Sequence, residues 1–216
     1  MKLELPVRFD NLLRTADIME IQRILYDIRI PWNIANSTIS KEFIPEYDYD
    51  PRVMDSQSAI WMYYSDTQKG EECIYYKNNT LEKHSKRIAE QIAERLGYKI
   101  LGYARIKANI LFHDYEFTPE YFNCPHKDYE YNPDMKVISV VYYVDDSDGD
   151  TCVFTEFDKE KRTLGEPQRF PPIKGTAVAL WADAYHASSN PVKHNRRTVI
   201  NIVFQVEENN EESSSV

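Results

Sequence analysis

The chain has 216 residues, 26 of them basic and 35 acidic, for a formal net charge of −9. An apolar share of 42% is enough to build a sizeable core, so the chain does not read as disordered. The acidic balance argues against a duplex-DNA binder, which needs clustered Lys and Arg to displace counterions from phosphate. The N-terminal stretch MKLELPVRFDNLLR lacks the apolar run of a secretion signal, and no segment approaches the roughly 20 apolar residues of a membrane span. A soluble, cytoplasmic protein is expected. Cys73, Cys124 and Cys152 are few, odd in number and without CxxC spacing, which fits reduced thiols in or near the core better than a disulfide framework or a zinc ribbon.

In chain order, Ile18, Ile21, Leu25 and Ile28 recur at helical spacing, with Asp10 or Thr15 as candidate N-caps and Pro31 as the stop. The stretch Trp32 to Asp55 reads as a loop beside a cleft. A second helix is expected from about Thr80 to Leu96: Asn79 caps it, Leu81, Ile88, Ile92 and Leu96 form its buried stripe, and Gly97 supplies a left-handed end. Seven segments read as strands: Ala59 to Tyr64, Glu72 to Lys77, Arg105 to Phe112, Val137 to Val144, Cys152 to Phe157, Thr176 to Trp181 and Thr198 to Gln205. The run Asp145 to Asp150 contains an Asp-Gly pair suited to a tight hairpin, and Gly175 marks another turn. These elements predict a mainly β chain with flanking helices (α+β), built as a cupin-like jelly roll, or double-stranded β-helix, that N-terminal helices buttress. One domain is expected over 1–206, with support over about 1–100 and the core over about 101–206, followed by a disordered acidic tail at 207–216.

The residues that point to chemistry are His126, Asp128, His186 and Arg197. On an extended strand His126 and Asp128 face the same side while Lys127 faces away. Joined by His186, they offer two imidazoles and a carboxylate, a set that leaves three positions open on an octahedral metal and suits non-haem Fe(II) oxygenases. Arg197 opens a strand eleven residues beyond His186. A buried arginine there needs an anion, and its planar fork suits a carboxylate. Arg196 competes for that role, but strand alternation places Arg197 with Val199, Asn201 and Val203, opposite the more apolar Thr198, Ile200, Ile202 and Phe204. Other polar residues have plainer readings. His84 belongs on a solvated helix face, His113 in a loop and His194 on the surface, while the Cys124 thiolate would be an unusual ligand for ferrous iron. Tyr47, Tyr49, Tyr63 and Tyr64 suit a core more than a substrate groove.

The segments CPHKDY, VISVVYYVDDSDGDT and PPIKGTAVALWADAYHASSNPVKHNRRTVINIVF, within roughly Arg105 to Gln205, together resemble the prolyl-4-hydroxylase-like branch of the 2-oxoglutarate/Fe(II) dioxygenases. The RIKANILF strand and the brevity of the chain are similar to members encoded by tailed bacteriophages, which would put the protein in a host cytoplasm. The resemblance implies Fe(II) ligation by His126, Asp128 and His186, and binding of the distal carboxylate of 2-oxoglutarate by Arg197. It also implies a contact from Tyr143 to that cosubstrate. The implied reaction consumes O2, decarboxylates 2-oxoglutarate to succinate and hydroxylates an unactivated C–H bond, with ascorbate as a candidate reductant. Substrates rank from a prolyl or other residue of a protein or peptide, through a free amino acid or small metabolite, to a nucleobase. The last ranks lowest because no basic, aromatic strand-binding surface is visible. The rival class is a non-catalytic jelly roll that retains a metal site. No oligomerisation signature is visible.

Overall fold

The computed structural model describes residues 3–38, 45–65, 77–130 and 132–209. In chain order its elements are β1 (Val7–Phe9), α1 (Thr15–Leu25), β2 (Asn33–Ala35), β3 (Ser58–Ser65), α2 (Asn79–Leu96), β4 (Tyr98–Phe112), β5 (Lys136–Tyr143), β6 (Thr151–Val153), β7 (Phe157–Asp158), β8 (Thr163–Leu164), β9 (Gln168–Phe170), β10 (Ala177–Trp181), β11 (His186–Ser188) and β12 (Arg196–Glu208). A larger sheet has the strand order β1-β10-β5-β12-β4-β3-β2, and a smaller one has the order β11-β6-β9. His126 extends the smaller sheet by an antiparallel bridge to His186. β7 and β8 form a separate two-stranded ribbon. Among the described residues, no helix is long and apolar enough to cross a membrane.

Strand alternation sorts side chains into layers. On the helix side of the larger sheet, Ile106 and Ala108 of β4, Ile138, Val140 and Tyr142 of β5, and Ile200, Ile202 and Phe204 of β12 join Ile88, Ile92 and Leu96 of α2 in one buried cluster. The other face carries Val141, Tyr143, Val178, Leu180 and Val199, which pack with Val153 and Phe170 of the smaller sheet. The helices therefore support the outside of the larger sheet, and the space between the two sheets is left for the site. This is a mainly β jelly roll with two flanking helices, as the strand pattern predicts.

Several local expectations change. Asn78, not Asn79, caps α2, its side chain accepting from Leu81 N at 3.0 Å, while Gly97 closes the helix in the left-handed region at φ 78°. α1 begins after Arg14, which makes no side-chain cap bond, and ends at Leu25. Ile28 lies beyond it, fully exposed. The Asp27 carboxylate accepts from the backbone N of Arg29 and competes with helical pairing before Pro31 is reached. His84 is buried, not solvated, because α1 packs across its face of α2 and Glu20 Oε2 lies 2.9 Å from its Nε2. Asp145 to Asp150 is no hairpin: β5 pairs with β10 and β12, whereas β6 pairs with β9 and β11, so this segment crosses between sheets. Cys152 to Phe157 divides into β6 and the start of β7. Gly175 does occupy a positive-φ turn, at 79°.

β2 is a strand within the expected Trp32 to Asp55 loop, and β12 runs through Glu208, two residues into the expected tail. Residues 210–216 of that tail and the expected strand Glu72 to Lys77, apart from Lys77 itself, lie outside the described residues. Cys124 and Cys152 are buried free thiols. Of the four tyrosines, Tyr63 is wholly buried with its hydroxyl 2.7 Å from Ser85 Oγ, Tyr47 is also buried, and Tyr49 is exposed.

Candidate metal centre

His126, Asp128 and His186 present one ligand atom each, all within 4.8 Å of one another. The bridge between the two histidines brings them together: His126 N donates to His186 O and His186 N to His126 O, both at 2.9 Å. Each imidazole has its Nδ1 3.1 Å from a backbone carbonyl, Cys124 O for His126 and Ala184 O for His186. A carbonyl only accepts, so both Nδ1 atoms carry a proton and Nε2 is the atom each ring can offer a metal, that of His186 lying 3.4 Å from Asp128 Oδ2. Cys124 thus contributes through its carbonyl. Its thiol is 2.9 Å from the Tyr47 hydroxyl, and burial pushes its pKa up, so a thiolate ligand is not favoured.

Asp128 is held from three sides. The Arg105 guanidinium pairs with Oδ1, Ser139 Oγ donates to Oδ2, and Asn201 Nδ2 donates to Oδ2 at 3.0 Å. Burial opposes ionisation of this carboxylate, yet the charge of Arg105, assisted by His186 and Lys107, outweighs it and holds the pKa well below the usual range. Burial, reinforced by His186, takes His126 down to about 3, so the ring is neutral at physiological pH.

This shift has a stability consequence with a definite sign. An unfolded histidine takes up its proton near 6.5 and folded His126 near 3, so between these values the unfolded state binds the extra proton. Stability contributed by neutral His126 is complete above pH 6.5 and declines as pH falls toward 3, at up to about 1.4 kcal/mol per pH unit. Thermal melts of the metal-free protein from pH 7 to pH 4 are expected to lose Tm more steeply for the wild type than for His126→Gln.

A cavity between the sheets is lined by these three residues and by Arg197, Lys107, Asn109, Asn201, Thr38, Ser58 and the apolar Ile60, Leu111, Val141 and Val199. Arg197 is 3% exposed. Its Nε donates to Gly149 O and its Nη2 to Thr151 Oγ1, each at 2.7 Å, and among the described residues no carboxylate forms an ion pair with it. Gly149 is required for close approach: a Cβ there would meet Ser189 O at 2.4 Å and Arg197 Cδ at 3.1 Å. Arg196 is excluded from the cavity and stacks over Tyr26 at 3.7 Å. Tyr143 does not line the cavity. It lies behind Arg197, its ring centroid 5.8 Å from the guanidinium and its hydroxyl 2.8 Å from Thr151 Oγ1.

The structure thus unites His126, Asp128, His186 and Arg197 and sets Tyr143 behind them. His113 and His194 are elsewhere, the first against Tyr115 and the second hydrogen-bonded with Asp148. Sequence reading missed Arg105, Lys107, Asn109 and Ser139. For the first three, the available signal was Arg, Lys and Asn at alternate positions 105, 107 and 109, the period of one strand face.

No family model matches the sequence, and no curated protein matches it. Solved structures do match. A 2OG-Fe(II) oxygenase family oxidoreductase from Burkholderia pseudomallei aligns with TM-score 0.61 at 16% identity, covering 92% of this chain and 84% of that one. A Trichoplax adhaerens prolyl hydroxylase, in complex with a hypoxia inducible factor peptide fragment, aligns with TM-score 0.56 at 14% identity, covering 92% and 82%. The epimerase SnoN, in complex with Fe3+, alpha ketoglutarate and nogalamycin RO, aligns with TM-score 0.55 at 12% identity, covering 92% and 77%. The chain has the fold of the 2OG-Fe(II) oxygenases.

The donor set fits the metal of that fold. One hard carboxylate and two imidazoles that turn Nε2 toward it suit a divalent first-row ion. The carbonyls on both Nδ1 atoms and the Ser139 and Asn201 donors on Asp128 provide the outer support that orients such ligands.

Proposed function

We propose that the protein is a 2-oxoglutarate- and Fe(II)-dependent dioxygenase that hydroxylates an unactivated C–H bond. The observation that carries this reading is Arg197: a buried cation satisfied by two neutral acceptors, on the wall of the same cavity as the His-Asp-His cluster. A structural metal would have no use for a carboxylate receptor. A keto acid that also carries a distal carboxylate requires both.

In this reading His126, Asp128 and His186 hold Fe(II), and Arg197 neutralises the distal carboxylate of 2-oxoglutarate. When bound, the iron and keto acid supply O2 activation, with decarboxylation to succinate coupled to C–H hydroxylation. The chain's own task is orientation and exclusion of water. Gly149 O and Thr151 fix the guanidinium, with Tyr143 behind them, while Ile60, Leu111, Val141 and Val199 keep the walls apolar. The substrate is a prolyl or other residue of a protein or peptide, and the prolyl hydroxylase among the similar structures supports that choice.

The test is anaerobic titration of the full chain with Fe(II) and 2-oxoglutarate, followed by the visible metal-to-ligand charge-transfer band of the chelated keto acid. The band is expected in the wild type and absent in His186→Ala. Well-folded wild-type protein without the band would overturn the reading. Succinate release over a peptide series, with ascorbate present as reductant, then tests the substrate.

A further inference from the structure

Under the proposed function, on which this inference rests, two polar side chains of the cavity wall bind neither the metal nor the cosubstrate. On β4, Arg105, Lys107, Asn109 and Leu111 share the face toward the smaller sheet, by strand alternation. Arg105 is paired with Asp128. Lys107 lines the cavity and makes no hydrogen bond or ion pair among the described residues. Burial lowers its ammonium to about 8, with Arg105 repelling it and Asp128 partly compensating. Beside it, Asn109 Oδ1 is shut off from solvent without a hydrogen-bond partner. Two polar groups, a cation and an amide, are thus unpartnered on one wall, where leaving them unmatched is costly.

Their place in the register separates them from the cosubstrate's receptor. Lys107 is opposite Asn201, which holds Asp128, whereas Arg197 is opposite Leu111. Four residues along a strand is roughly 13 Å, so Lys107 and Arg197 serve opposite ends of the cavity. Charge points the same way. Fe(II), Asp128, Arg197 and a dianionic 2-oxoglutarate balance one another, leaving Arg105 and Lys107 as an excess of positive charge in a water-poor space.

We infer that Lys107 forms a subsite for a carboxylate of the primary substrate, with Asn109 Oδ1 beside it placed to accept from a substrate N–H, so that the enzyme selects an acidic group close to the carbon it hydroxylates. That carboxylate belongs either to a free amino acid or to a side chain of a peptide. The shared chemistry is an anion that accepts from the ammonium.

The experiment uses the 216-residue chain, anaerobic, with Fe(II) and 2-oxoglutarate bound, and reads the perturbation of the charge-transfer band by two probe pairs. One pair is L-proline and L-prolinamide; the other is a blocked proline peptide carrying Glu and the same peptide carrying Gln. The acid member of at least one pair is expected to bind on the order of 10- to 100-fold more tightly than its amide partner, as a charge-assisted hydrogen bond implies. Which pair responds identifies the source. Lys107→Met should erase the preference and Lys107→Arg should retain it.

The metal-free Lys107→Met protein should melt higher, by on the order of 2–4 °C, because the lost ammonium had no partner. A lower Tm would mark Lys107 as structural and overturn the inference. So would equal binding of acid and amide, a preference that survives in Lys107→Met, or a loss confined to 2-oxoglutarate affinity, which would place Lys107 on the cosubstrate. If the wild type gives no band, the proposed function falls as well; a band without acid preference removes this inference alone.

Discussion

Arg197→Ala is expected to weaken 2-oxoglutarate binding on the order of 100-fold or more, because truncating one partner of a buried, hydrogen-bonded charge pair costs about 2–5 kcal/mol. The lost guanidinium is anchored by Gly149 O and Thr151 Oγ1, and among the described residues no other arginine lines the cavity. Metal binding should persist, since Arg197 supplies no ligand atom. Arg197→Lys retains the charge but loses the fork, so its affinity should fall between the two. The measurement is the midpoint of the charge-transfer titration, with a thermal melt of each variant. An unchanged midpoint in folded Arg197→Ala would remove Arg197 as the cosubstrate receptor.

Asp128→Ala should be the most destabilising single change at the site, even without metal. The carboxylate is 3% exposed and paired with Arg105, and removing it leaves that guanidinium and the Lys107 ammonium without a counter-charge. Breaking a buried pair from one side costs about 3–5 kcal/mol. For a chain of this size that corresponds to a Tm loss of roughly 6–20 °C. The double variant Asp128→Ala/Arg105→Met should recover part of the loss, because it removes the stranded cation. Differential scanning calorimetry of the metal-free proteins checks both; an Asp128→Ala protein as stable as the wild type would mean that solvent screens the pair.

Much of the site is legible in the sequence because its geometry has period two. Strand alternation separates Arg197, which lines the cavity, from Arg196, which lies outside it; His126 and Asp128 also converge, although His126 makes one isolated bridge and Asp128 lies in a bend, not on a regular strand. The helix signals locate α1 and α2 to within a few residues, since capping and Gly97 act over short range. The α1 end is misread because Asp27 intercepts the backbone before Pro31.

What the tertiary structure alone decided is which polar residues face inward. Arg105, Lys107 and Asn109 alternate with Ile106, Ala108 and Ile110, and a single strand cannot say whether its polar face meets water or a cavity. Only the helices, by covering the apolar side of the larger sheet, turn the polar side toward His126, Asp128 and His186. Likewise, Asp145 to Asp150 has hairpin residues but joins strands of different sheets, because pairing is settled by partners distant in sequence. Tyr143 stands on the expected strand, yet its hydroxyl is near Thr151 behind Arg197, a depth that alternation does not encode. The chain's own order sets the ligand types and their spacing; the packing of two sheets and two helices sets which charges surround them.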